Sequence, residues 1–128
     1  MNCHCHSGKP FMACCQPYLQ NLKQPKTAEA LMRSRYTAFC LNNTHYLNRT
    51  TTTPIHDSLD TAIQWTKLTI VNTHQGTIND LNGTVEFKAY YTHEESLYEL
   101  HENSYFIKEN NEWLYAFGDP ISRKIGTL

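Results

Sequence analysis

Thr84-Val85-Glu86-Phe87-Lys88-Ala89-Tyr90-Tyr91-Thr92-His93 alternates with a period of two, placing Val85, Phe87, Ala89 and Tyr91 on one face. That pattern predicts a half-buried strand. Glu94-Glu95 reads as a turn, and Leu97 to Lys108 as a second, longer strand. In it Tyr98, Leu100, Glu102, Ser104 and Phe106 share one face, while His101, Asn103 and Tyr105 share the other. Asn110-Asn111 predicts a hairpin into a last strand, Trp113 to Gly118, with Trp113, Tyr115 and Phe117 read as core. Upstream, Lys67 to His74 opens the meander, followed by loop residues at Gln75-Gly76 and Asn79 to Gly83.

Helical signals precede these strands. Thr27 is a fitting N-cap, Glu29 suits the first turn, and a helix is predicted from Ala28 to Leu41, stopped by Asn42-Asn43. A short helix at Thr44–Asn48, a loop at Thr50–Pro54 and a further helix from His56 to Gln64, closed by Trp65, follow. Helices first and an antiparallel meander after them make an α+β fold.

Spacing at 100° per residue puts Ala28, Leu31, Met32, Tyr36 and Phe39 of the first helix in one apolar arc, with Arg35 inside it. A guanidinium buried there needs a partner. It either snorkels to the rim, forms a structural ion pair, or faces a polar ligand. Glu102 and Ser104 likewise sit among apolar neighbours, which suits the concave side of a curved sheet. The expectation is that Arg35 and Glu102 pair inside the domain, with Ser104, Tyr36 and Trp65 lining a pocket. No catalytic residue is assigned. Glu102 serves as a base only if burial raises its pKa, whereas a paired arginine lowers it. His101 points to the opposite face from Glu102.

The chain has 128 residues, with 12 acidic and 11 basic side chains and a formal net charge of −1. Such a balance gives no chain-wide basic field for a nucleic-acid backbone. Any ribosome contact would rest on Lys9, Lys23 and Lys26. The N-terminus lacks a signal-peptide pattern, and no apolar run is long enough for a bilayer. A cytoplasmic location, where thiols stay reduced, is the expectation.

Four of the five cysteines, Cys3, Cys5, Cys14 and Cys15, fall in the first fifteen residues as C-x-C-x8-C-C. Adjacent and one-apart cysteines bridge each other only with strain. Two close pairs joined by Ser7-Gly8-Lys9-Pro10 instead suit one tetrahedral, structural zinc ion per chain, with His4 or His6 as a substitute for one thiolate. Idle cysteines or a reactive Cys14-Cys15 pair are the competing readings. Cys40 reads as a packing residue.

The run Cys3-His4-Cys5-His6-Ser7-Gly8-Lys9-Pro10-Phe11-Met12-Ala13-Cys14-Cys15 resembles the SEC-C motif, C-P-C-G-S-G-x5-C-[CH]. With Ala30 to Phe39, Gly83 to Phe87, His101-Glu102-x-Ser104-x-Phe106 and Trp113-x-Tyr115, the chain resembles the YchJ family (UPF0225) over nearly its whole length. The resemblance implies an N-terminal zinc knuckle at 1–20, an NTF2-like cone at 27–120 and a C-terminal tail at 121–128. It carries no particular reaction. From the knuckle it implies a protein partner, as the motif contacts a chaperone and the ribosome in the SecA translocation motor. The expected function is a non-enzymatic adaptor whose cone holds a small polar ligand or forms a homodimer through its sheet. The alternative is a cone-type isomerase or dehydratase with Glu102 and Arg35 in the pocket. His4 and His6 replace the motif's Pro and Gly, Asn103 replaces a basic residue, and the second C-terminal knuckle of many relatives does not follow.

Overall fold

The computed structural model describes residues 1–54 and 58–128. A 3-10 turn at Phe11–Ala13 leads to α1 (Gln16–Leu19), α2 (Ala28–Cys40) and α3 (Thr44–Arg49). The strands are β1 (Gln64–Gln75), β2 (Asn82–His93), β3 (Ser96–Glu109), β4 (Glu112–Gly118) and β5 (Ile121–Thr127). Every pairing between these strands is antiparallel, and an isolated parallel bridge joins Thr51 to Tyr115. No helix among the described residues is long and apolar enough to cross a membrane.

Local chemistry sets the helix ends. Thr27 Oγ1 accepts from the Ala30 amide at 3.0 Å and caps α2. At the other end Asn42 takes φ +56°, and the Asn43 amide donates back to Ala38 O at 2.8 Å. The Asn43 side chain then accepts from Tyr46 N at 3.0 Å, so two adjacent asparagines end one helix and start the next. Both predicted two-residue hairpins form. Glu94, Glu95, Asn110 and Asn111 all have positive φ, as a type I′ turn requires.

β3 is the hinge of the sheet. Its first half pairs with β5, from Ser96↔Thr127 to His101↔Ile121, and its second half pairs with β4, from Ser104↔Gly118 to Glu109↔Glu112. β4 and β5 therefore share one edge of β3, and Asp119-Pro120 crosses between them beside Glu102. Irregularities in β1, β3 and their partners bend the sheet around α2. The core beneath α2 gathers Leu31, Met32, Tyr36, Leu68, Val85, Phe87, Phe106 and Trp113.

Three expectations are corrected. Residues 121–128 are not a tail, because Ile121–Thr127 forms β5; its side chains are mostly exposed, so no burial pattern marks it in the sequence. Phe117 is not core. The bulge between Tyr105 and Phe106 makes Ala116 the extra residue of β4, turning Phe117 outward, where it is 63 % exposed and stacks on Tyr105 at 5.0 Å. The helix predicted for 56–64 is absent from 58–63, where the chain is loop and turn before β1 starts at Gln64; positions 56 and 57 lie outside the described residues.

Candidate metal centre and the cavity beside it

The first two cysteines stand on a tight loop. Asn2 bridges Pro10, the Cys3 amide donates to Lys9 O at 2.8 Å and the Phe11 amide to Met1 O at 3.1 Å. Gly8 (φ +85°) and His6 (φ +62°) make the reversal. The motif's glycine position is thus one of left-handed backbone, which costs a histidine about 1 kcal/mol. His6 Nε2 lies 3.2 Å from Thr66 O, and its ring meets Tyr36 edge-on, contacts that glycine would lack. Cys15 caps α1, its carbonyl accepting from the Tyr18 and Leu19 amides.

These supports gather four sulfurs. The Sγ atoms of Cys3, Cys5, Cys14 and Cys15 all lie within 4.8 Å of one another, and none is in a disulfide. Cys5–Cys14 is 3.6 Å and Cys14–Cys15 is 3.9 Å. A tetrahedron with metal–sulfur bonds near 2.3 Å has edges of about 3.8 Å, so the four sulfurs can hold one metal ion. His4 and His6 are outside this group, His4 turning to Phe11 and His6 to β1. Among the described residues it is the one such gathering of metal-ligating side chains.

Hydroxyls surround the sulfurs. Thr37 Oγ1 donates to Cys15 Sγ at 3.3 Å and lies 3.7 Å from Cys3 Sγ, while Ser7 Oγ is 3.2 Å from Cys14 Sγ. Arg33 Nη1 donates to Cys5 O at 2.8 Å and its Nε to Glu29 at 3.0 Å. The hydrogen bond from Cys15, against the cost of burial, pulls the Cys5 thiol down to about 4. Giving that hydrogen bond, with burial, pushes Cys15 up, and burial pushes Cys14 up. Protons confined to some of four touching sulfurs are what a divalent cation displaces.

The cluster is no detached appendix. Cys3, Cys5 and Cys15 are buried in the same core as Leu31, Met32 and Tyr36, so residues 1–20 pack as part of the domain. Thr37 and Ser34, polar and fully buried, face α1, α3 and the sulfurs, which is why α2 is buried on more than its apolar arc. A helical wheel carries no signal for that second buried side.

On the other side of Tyr36, α2 and the sheet enclose a cavity of about 250 Å³. Tyr36, Phe39, Trp65 and Phe87 wall it, and Glu102 is the one carboxylate among its described lining residues. Ser104, fully buried, donates to Glu102 Oε2, and Tyr115 Oη donates to the same oxygen at 2.9 Å. Burial and the Glu102 charge push the Tyr115 hydroxyl up. Gly118 faces this carboxylate across the strand pair, and a Cβ there would overlap Oε2. Sequence reading missed Tyr115 and Gly118. Their signal is the β3–β4 register, which sets Ser104 opposite Gly118 and Phe106 opposite Tyr115.

Arg35 does not pair with Glu102. Its Nη1 donates to Leu47 O at 2.9 Å and Thr50 Oγ1 at 2.8 Å, and its guanidinium lies 4.9 Å from the centre of the Tyr115 ring. The partner is the C-terminal end of α3, whose carbonyls attract a cation. Burial pushes Arg35 down to about 10, and Tyr115, Tyr46 and Glu102 oppose that fall. Tyr115 stands between the two charges, so Arg35 is absent from the cavity lining. His101 pairs instead with Glu86, at 2.6 Å on the outer face.

Residues 27–118 match the family model described as "YchJ, middle NTF2-like domain". The chain belongs to the YchJ (UPF0225) family. It is 36 % identical to a UPF0225 protein of Photorhabdus laumondii, over 97 % of this chain and 86 % of that one. It is 39 % identical to one of Corynebacterium glutamicum, over 91 % and 95 %. A SEC-C motif containing protein from Rhodopseudomonas palustris, solved in solution, superposes with a TM-score of 0.82 at 31 % identity, covering 94 % of this chain and 99 % of that one. The YchJ chain therefore joins a SEC-C-type cysteine cluster to an NTF2-like α+β domain of helices on a curved antiparallel sheet.

Proposed function

We propose that Cys3, Cys5, Cys14 and Cys15 hold one structural zinc ion and that the knuckle around it presents a surface to a protein partner. The chain then acts as a cytoplasmic, non-enzymatic adaptor, with the cone as a ligand cavity. The mutual approach of the four sulfurs carries this reading. Four sulfur ligands leave no open position for water or substrate, so zinc here would fix structure rather than supply chemistry. Met12 and Leu22, 78 % and 76 % exposed, give the knuckle and its linker apolar side chains left largely uncovered by the described residues.

The enzyme alternative has Glu102 in the cavity in its favour, but Arg35 turns to α3. Metal analysis of protein purified without chelator should find one zinc per chain, lost in Cys14→Ser. Capture from a cell lysate should yield proteins held by the intact chain and not by Cys14→Ser. Absence of zinc and iron would end the metal reading, and identical captures by both chains would end the adaptor reading.

A further inference from the structure

Glu102 is 8 % exposed and forms no ion pair among the described residues. Both hydroxyls that reach it, from Ser104 and Tyr115, donate to Oε2. Oε1 accepts nothing from the described residues, yet no fully buried polar side-chain atom among them lacks a partner, so Oε1 keeps accessible surface, and Glu102 lines the cavity. Arg35, the cation whose charge Glu102 feels, packs against the Tyr115 ring with its Nη1 committed to α3. Evolving a dry core at this position would need an apolar residue. Instead the carboxylate is held in place by two donors and by a glycine that leaves it room.

The opposing wall completes the pattern. Tyr36, Phe39 and Trp65 present rings to the same space, with Phe87 and Met32 filling the sides. Ring faces attract cations, most of all in a water-poor site. An anion would meet the Glu102 charge with no basic side chain lining the cavity to offset it. At about 250 Å³ the space is at the small end for a ligand pocket, which excludes large cofactors.

From this geometry we propose that the cavity binds a small organic cation, an amine whose apolar body lies against Tyr36, Phe39 and Trp65 and whose ammonium donates to Glu102 Oε1. This rests on the cone being a ligand cavity and adds the class of ligand. Three probes of common shape and different charge test it on the full chain near neutral pH: 2-phenylethylamine, 2-phenylethanol and 3-phenylpropanoate, followed by calorimetry. The amine should bind at least about tenfold tighter than the alcohol, the anion weakest of the three. Glu102→Gln should weaken the amine by about tenfold or more and change the alcohol by less than about threefold. Trp65→Leu, which leaves the Glu102 hydrogen bonds alone, should also weaken the amine more than the alcohol.

Equal binding of amine and alcohol, or an amine affinity indifferent to both substitutions, would overturn the cation preference while leaving the cavity a ligand site. Binding of none of the three would overturn both. Zinc content of the same samples reports on the knuckle independently.

Discussion

Thr37→Val removes one hydroxyl from a fully buried site with almost no change of volume, and its effect depends on whether a metal is present. Thr37 Oγ1 has a single proton and gives it to Cys15 Sγ at 3.3 Å, the nearer of its two sulfurs. Without metal, Cys15 is held as a thiol by its hydrogen bond to Cys5 and by burial. The Thr37 bond is then neutral and weak, worth about 0.5 kcal/mol. With zinc, Cys15 is a thiolate and the same bond is charge-assisted, worth about 1.5–3 kcal/mol. Outer hydroxyls of this kind change metal affinity by about 10–100-fold. Competition against a chromophoric chelator should therefore show Thr37→Val binding zinc about 10–100-fold more weakly, with Thr37→Ser close to the parent. Thermal unfolding should show a larger loss in the zinc-loaded chain than in the stripped one. Equal losses in both, with unchanged zinc affinity, would refute the argument that Thr37 serves the metal site.

Gly118→Ala places a methyl on the Glu102 carboxylate and forces it from Ser104 and Tyr115; urea unfolding should record a loss of about 2–3 kcal/mol, against well under about 1 kcal/mol for half-buried Gly126→Ala, whose Cβ would meet only Leu97 Cβ at 4.0 Å. The double change Glu94→Asn and Glu95→Gly puts residues suited to positive φ into the β2–β3 turn and should raise stability by about 1–2 kcal/mol in the same assay. Alkaline pH should act through Tyr46, which burial pushes up to about 12 against about 10 in the unfolded chain. The unfolded tyrosine loses its proton first, so its contribution is full below about pH 10 and disappears as pH rises towards about 12. Between about pH 9 and 11 the parent chain should lose about 1.3 kcal/mol more than Tyr46→Phe.

Much of this architecture is readable from short-range pattern. The Thr27 cap, the Asn42-Asn43 stop, the alternation of β2 and the spacing of Cys3, Cys5, Cys14 and Cys15 are all local, and each has its predicted place in the fold. What escapes the sequence is set by register and by third parties. Arg35 and Glu102 occupy the inward positions their patterns indicate, yet Tyr115 comes between them because β4 pairs beside Glu102. Phe117 keeps the alternation of Trp113 and Tyr115 in the sequence and loses it at a bulge. β5 carries Arg123, which pairs with Glu99 on β3 at 3.2 Å, so cross-strand charge and backbone pairing hold it where no apolar face does.

The metal centre and the cavity are also less separate than their sequence positions indicate. Both are built on α2: Thr37 reaches the sulfurs, Arg33 holds the Cys5 carbonyl, and Met32, Tyr36 and Phe39 wall the cavity. Tyr36 belongs to both sides. Its ring meets His6 of the knuckle at 6.4 Å and Trp65 of the cavity wall at 6.2 Å, each edge-on. Were the four sulfurs to hold a metal and lose it, the short polar loop would lose order, and with it the His6 contact that backs Tyr36. The Tyr36 side chain would then have one neighbour fewer holding the rotamer that shapes the cavity. An interior packed at crystal-like density transmits such a change rather than absorbing it. The four cysteines therefore matter to the cone as well as to the surface above them, which gives physical sense to the burial of Cys3, Cys5 and Cys15 in one core with Leu31 and Met32, with half-buried Cys14 packed against it.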